Sequence, residues 1–301
     1  MLVSEFIENY PVKLATAEAV PLTAKIRWRL ASMLHRPKPD QRPPYPTVSL
    51  SYWQPESAEF VNFGDELAWV IVALMLARRG ATLNDDVTSP KSLVSVGSTL
   101  HRASEGSVIW GTGLHGASLE HDHTYSTLDV RAVRGPLTAK FLRQRNIKVP
   151  DVYGDPGLLL PHVDGGRFRP TRRHEVGIVP NLHDMSVIER MDIAGKFPNL
   201  RVIDPRRAWN TVVADILDHE FIIASSLHGL VVADAYGIRS RYVRLTEKED
   251  ILKYHDYYLG TGRFLEPAAS IEEALKTSRA APLVYDPEPL LAAFPWDLWN
   301  L

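Results

Sequence analysis

The residues best suited to chemistry in this chain lie where β-rich runs pass into helical patterns. From Phe221 to Leu230 the sequence FIIASSLHGL carries an apolar run through Ser225 and Ser226 into a helix whose first turn holds Leu227, His228 and Gly229. A helix start offers unpaired N–H groups and the positive end of a dipole, so it suits a phosphate. The same dipole favours a neutral imidazole that can take a proton, which makes His228 a candidate acid/base group. A lone histidine is more often structural, and the local pattern leaves both readings open.

Three further junctions have the same character. In DVRAVRGP, residues 129–136, Gly135 and Pro136 make a sharp strand-to-helix turn with Arg134 at the strand end. An arginine there is ready to clamp a phosphate or carboxylate with two parallel hydrogen bonds, or to make an ion pair with a neighbouring carboxylate. In NFGDE, residues 62–66, Gly64 permits a tight turn and Asp65 opens a helix with the stripe Leu67, Ile71, Leu74. A plain helix cap is the competing reading. In WGTG, residues 110–113, Gly111 and Gly113 allow backbone N–H groups to approach an anion or a sugar. Gly116 is wrongly spaced for a dinucleotide fingerprint, so no nicotinamide cofactor is expected. His121 and His123 look like a metal pair, but EHDHTYS reads as a solvated loop and no metal site is expected. Neither a G-x-S-x-G elbow nor a Walker loop is present.

These junctions need strands and helices to position them. From Thr47, β-rich runs alternate with helical patterns: TVSLSYW, a helix from Glu66 to Arg79, SLVSVG, SVIWG, LDVRAVR, and a helix from Pro136. After VPDVYGDPGLLLP and the polar GGRFRPTRRH, the alternation resumes with HEVGIVP, a helix after Met185, LRVID, a helix around Val212, EFIIASS, the helix Gly229–Tyr236, and SRYVRL. Repeated strand and helix predict mostly parallel sheets covered on both faces. The expected division is a segment 1–44, a first α/β domain 45–162, and a second α/β domain 163–301.

Within 1–44, Leu22, Ile26, Leu30 and Met33 recur at helical spacing among five basic residues, and RPKPDQRPPYP follows as a linker. This basic amphipathic helix, spanning 22–38, suits either packing on the body or contact with an anionic membrane surface. The chain has 301 residues, 45% of them hydrophobic, with a net charge of -2, which argues against a nucleic-acid partner. It has no cysteine, so disulfides, thiolate metal sites and cysteine nucleophiles are excluded. The longest apolar run, Ala68–Ala77, is far shorter than the ~20 residues of a membrane span. The expected location is cytoplasmic, at the inner face of the cell membrane if the basic helix binds there.

Taken in order, NFGDE at 62, VIWGTG at 108, DVRAVRGP at 129, YGDPGLL at 153 and SSLHGLVVADAYG at 225 resemble the polysaccharide pyruvyl transferase family. The likeness runs from about Val48 to Arg263, and KYHDYY at 253 with GTGR at 260 resembles the branch that modifies xanthan- and succinoglycan-type repeat units. This resemblance implies two Rossmann-like domains arranged as in GT-B glycosyltransferases. It also implies a phosphoenolpyruvate donor, a lipid-linked oligosaccharide acceptor, a pyruvate ketal product, and neither metal nor cofactor in the chemical step. It implies that His228 and Arg134 are the functional pair. Some members carry an arginine just before the Leu-His pair where this chain has Ser226, so Arg131, Lys253 and Arg263 are the candidate replacement cations. Ser225, Ser226, Leu227 and Gly229 would complete the donor site. Asn62, Gly64, Asp65, Gly111, Gly113 and Asp155 would face the acceptor. Two other readings compete: a nucleotide-sugar glycosyltransferase and a non-catalytic sugar-binding module.

Overall fold

The computed structural model describes residues 3–12, 14, 46–54, 60–87, 91–276 and 282–301. The basic stretch 22–38 lies outside the described residues.

Two parallel sheets of four strands organise the chain. The first is built from β1 (Ser49–Ser51), β2 (Ser92–Val94), β3 (Val108–Trp110) and β4 (Asp129–Ala132), in that spatial order. The second uses β5 (His174–Val179), β6 (Leu200–Val202), β7 (His219–Ala224) and β8 (Arg239–Tyr242), in the order β6-β5-β7-β8. All strand pairs are parallel. The expectation of parallel α/β sheets holds, and each β-rich run named above becomes a strand. The central strands show why: Val108–Trp110 and Phe221–Ala224 are apolar and buried throughout, as strands covered on both faces must be.

After a short first helix, α1 (Val3–Asn9), comes α2 (Phe63–Ala77), which is apolar nearly all round and correspondingly buried. Then follow α3 (Pro136–Arg143), α4 (Leu160–Val163), α5 (Met185–Arg190), α6 (Ile193–Lys196), α7 (Trp209–Leu217), α8 (Leu227–Ala235) and α9 (Leu252–Gly260). One continuous core joins Phe63, Leu67 and Ile71 of α2 to Leu158–Leu160, to Val179 and Ile222 of the second sheet, and to Leu230 and Val231 of α8. Among the described residues no helix is long and apolar enough to cross a membrane.

The segment after β8, assigned from sequence to the second unit, serves both sheets: Ala268 bridges to Val243 beside β8 and Ile271 and Ala274 join the second sheet's core, while the parts before and after it pack on the first sheet. Helix α9 packs on α3. Further on, the indole N–H of Trp110 donates to Leu290 O at 3.0 Å, Trp110 and Phe294 meet edge to face, and Arg131 binds Asp297.

Candidate active site

In the second sheet, β6 and β7 lie on opposite sides of β5, so the chain reverses its order of travel between β5 and β7. Ligands of open parallel sheets bind outside the carboxyl ends of strands at such a switch point. The chain leaves β5 through Pro180–His183 and β7 through Ser225–His228, and both turns line a cavity of about 1080 Å³. Its opposite wall comes from the loops after β1, β2 and β3, including Trp53, Asn62, Asp65, Ser98, Thr99, Arg102 and His115. Lys253 and Glu249, from α9 and the turn before it, complete the lining.

His228 occupies the first turn of α8, as its sequence predicts, with Ser226 as N-cap. The imidazole Nε2 is buried and faces Asp155 Oδ2 at 3.6 Å; neither atom has a hydrogen-bond partner among the described residues. Asp155 is fully buried, and its second oxygen accepts from Gly157 N at 2.9 Å. Nε2 therefore points inward to a carboxylate. A Cβ on Gly64 would fall 2.2 Å from Nδ1, so this buried glycine makes the room in which the imidazole sits.

Asp65 stands in the first turn of α2 and accepts from Asn62 Nδ2 at 2.5 Å. Asn62 holds the N-cap position without capping the helix, because its side chain is committed to Asp65. The Asp65 carboxyl is pushed up to about 6 by burial at the cavity floor, against the opposing pull of His228, Lys253 and Arg102. Arg102 is the cation that sequence reasoning missed. Its half-buried guanidinium lines the cavity, and among the described residues it has neither hydrogen-bond nor ion-pair partner. Burial pulls it below its ordinary range while Asp65 opposes. Lys253 is by contrast already engaged by Glu249 at 2.7 Å. Burial pushes the Glu249 carboxyl up, but Lys253 outweighs it and holds the group below its usual range. His101 and His115, also on the wall, are lowered to about 4, chiefly by burial.

Arg134 does not line the cavity. Its guanidinium is fully buried, with Nε 3.2 Å and Nη2 3.1 Å from Asp256 Oδ2, and with bonds to Ser98 Oγ at 2.6 Å and Leu114 O at 2.9 Å. It stands behind the wall, holding Ser98 and the 113–115 turn. A Cβ on Gly113 would meet that guanidinium at 2.4 Å, so Gly113 seats Arg134 instead of facing a sugar. Gly111, at φ +84, makes room for Pro156. Arg131 binds Asp129 and Asp297, and Arg263 binds Asp234 while lying over Tyr258. Neither of these arginines lines the cavity. At the helix start, the N–H groups of Ser225 and Ser226 donate to Val179 O, and Gly229 N donates to Ser226 Oγ. Gly229 instead brings α8 close to Val179 and Ala224. Leu227 and His228 are left as the first helical positions, whose N–H groups have no carbonyl a turn behind them.

The EHDHTYS loop is solvated in part, as expected: Glu120, His121, Thr124 and Ser126 are exposed. His121 and Asp122 line the cavity, whereas His123 is buried between Ser118 Oγ at 3.1 Å and Tyr125 OH at 2.7 Å.

Residues 62–245 match the family model described as polysaccharide pyruvyl transferase. The chain belongs to that family. It is 28% identical over 220 residues to the succinoglycan biosynthesis protein ExoV of Rhizobium meliloti (strain 1021), covering 68% of this chain and 62% of ExoV. It is also 28% identical over 167 residues to the uncharacterized protein L143 of Acanthamoeba polyphaga mimivirus, covering 54% of this chain and 57% of L143. The chain thus spans about three fifths of the length of each of these relatives. The family match starts at Asn62 and ends at Leu245, so it takes in Asp65, Arg102, Asp155 and His228 but stops short of Lys253 and Asp256.

Proposed function

We propose that this cavity transfers the enolpyruvyl group of phosphoenolpyruvate to a sugar of a lipid-linked exopolysaccharide repeat unit, closing a pyruvate ketal and releasing phosphate. The observation that carries the reading is an arginine without a partner among the described residues, Arg102, and a histidine at a helix start, His228, on opposing walls of one cavity. Phosphoenolpyruvate carries a phosphate and a carboxylate, and a desolvated arginine with a helix start suits such a dianion. Arg102, the N–H groups of Leu227 and His228, and the Lys253 ammonium hold the donor. His228 exchanges the proton at C3, with Asp155 fixing the ring as the third member of a triad fixes its histidine. Arg134 acts through Ser98, as a positioning residue. Trp53, with no ring partner among the described residues, offers the acceptor sugar an apolar face with a polar edge. A GT-B-like pairing of the two sheets, at the cytoplasmic face of the membrane, suits an acceptor whose lipid stays in the bilayer.

The test is incubation with phosphoenolpyruvate and polyprenyl-diphosphate-linked oligosaccharides, following phosphate release and the product mass. Thermal unfolding adds a second check, because a true ligand at a hundredfold excess over its Kd stabilises the native state by about 2.7 kcal/mol. Stabilisation by a nucleotide sugar and none by phosphoenolpyruvate would replace this reading with glycosyl transfer. Oligosaccharide binding without phosphate release would replace it with a binding module.

A further inference from the structure

Ketal formation from an enol phosphate needs four proton transfers, two to the reacting groups and two from them. In the first stage the C2–C3 π pair takes a proton at C3, a sugar hydroxyl adds to C2 through an oxygen lone pair, and that hydroxyl loses its proton. In the second stage the C2–O bond to phosphate breaks with its electron pair on phosphate, a second hydroxyl adds to C2, and that hydroxyl loses its proton. Two hydroxyl protons leave at different times; one replaces the proton delivered to C3 and the other departs with phosphate. A protonated His228 gives its proton to C3 and recovers one from the second hydroxyl. A second acid/base group on the other side of C2 would carry the first hydroxyl's proton to the phosphate.

Resting on the pyruvyl-transfer reading above, we infer that Asp65 is this second catalytic residue, taking the proton of the first sugar hydroxyl and passing it to the departing phosphate. Of the carboxylates lining the cavity, Glu249 is neutralised by Lys253, and Asp122 accepts from Leu119 N at 2.8 Å on the far turn. Asp155 is sealed behind the imidazole. Asp65 alone combines a place on the wall with a single neutral hydrogen bond, from Asn62, and no ion pair among the described residues. Its geometry relative to His228 is set by one glycine. The point where a Gly97 Cβ would stand lies 3.7 Å from Asp65 Oδ1 and 3.6 Å from His228 Cε1, so the carboxylate and the imidazole both border the space beside this glycine, within one side chain's reach of each other. That is the scale at which two groups serve opposite faces of one reacting carbon. The charged groups around Asp65 are His228 on α8, Lys253 on α9 and Arg102 after β2. Burial nevertheless holds its carboxyl up at about 6, where a carboxylate is basic enough to take a proton and acidic enough to release it.

The experiment compares the parent with Asp65→Asn on phosphoenolpyruvate, with methyl hexopyranosides and polyprenyl-diphosphate-linked oligosaccharides as acceptors, across pH 5 to 8. The expected result is kcat lowered ~10²–10⁴-fold with phosphoenolpyruvate affinity retained, and loss of an acidic limb near pH 6 that the parent shows. A purely structural role would leave that limb in place. Asp65→Asn turning over like the parent, with the same limb, overturns the inference while leaving pyruvyl transfer intact. A parent that releases no phosphate with any acceptor overturns the pyruvyl-transfer reading and this inference together. Should Asp65→Asn fail to fold, Asp65→Glu carries the test: slower turnover with the acidic limb kept supports the assignment, and a vanished limb refutes it.

Discussion

Replacing Arg134 and Arg102 separately by alanine distinguishes an arginine that builds the cavity from one that works in it. Arg134→Ala removes the cation paired with the fully buried Asp256 carboxylate, a change that costs about 3–5 kcal/mol. Asp256 keeps three donors from the start of α3, Leu137 N at 2.9 Å, Thr138 N at 3.0 Å and Thr138 Oγ1 at 2.6 Å, which places the ion-pair loss at the lower end. The Leu114 carbonyl also loses its partner, adding about 1–3 kcal/mol. A total near ~4 kcal/mol, at roughly 2 °C per kcal/mol for a chain of this size, lowers Tm by about 8 °C. Donor affinity measured by calorimetry well below that transition should change little. Arg102→Ala should do the reverse. Having no partner to strand, it should melt like the parent, while losing a charge-assisted contact worth ~1.5–3 kcal/mol, or roughly 10- to 150-fold in phosphoenolpyruvate Kd. An Arg134→Ala protein that melts like the parent and yet fails to bind the donor would refute this division and put Arg134 on the ligand.

Three other outcomes follow from the same geometry. His228→Gln should lower kcat ~10²–10⁴-fold with donor affinity kept, and Asp155→Asn should lower it less, since it only loosens the ring; steady-state kinetics with binding measured separately checks both. Gly64→Ala should impair turnover without unfolding the protein, because its Cβ would force the imidazole aside; normal kcat in that variant would mean the imidazole is not the working group. Folded Asp65 holds its proton up to about 6, so its contribution to stability is full below the usual carboxylate range and lost as pH rises through about 6. His101, His115 and His123, lowered to about 4 mainly by burial, act oppositely: their contribution is present above their ordinary 6.5 and lost as pH falls through about 4. Asp65→Asn should therefore lose stability more steeply than the parent on acidification across that window, as urea midpoints would show.

The strands and His228 were legible because their signals are local. A run such as FIIASSLHG encodes a buried strand, an N-cap and a helix start within nine residues, and the fold realises each. Arg134 was legible as a residue but not as a role, since the partner that settles its role, Asp256, lies 122 positions away on a helix read only as part of a motif. Gly111 and Gly113 misled for a related reason. A glycine records that something comes close, and here Pro156 and the Arg134 guanidinium come close, not a ligand. Arg102 carried no signal at all: it sits in LHRASE without a motif, and what marks it out is a missing partner, a property that exists only once the chain is folded.

The return of the chain after β8 has a mechanical meaning. The polypeptide passes from the first sheet to the second through residues 133–173 and comes back before α9, whose glycine Gly260 sits against the backbone of Arg134 and whose partner glycine Gly135 sits against Asp256. The chain does not stop there: Ala268 bridges to Val243 beside the second sheet, and Leu290, Phe294 and Asp297 return to the first. Repeated crossings over one continuous apolar core lash the two sheets together, so His228 and Arg102 face each other across a cavity whose width is set by packing. A ligand must therefore match a span that the core has already fixed.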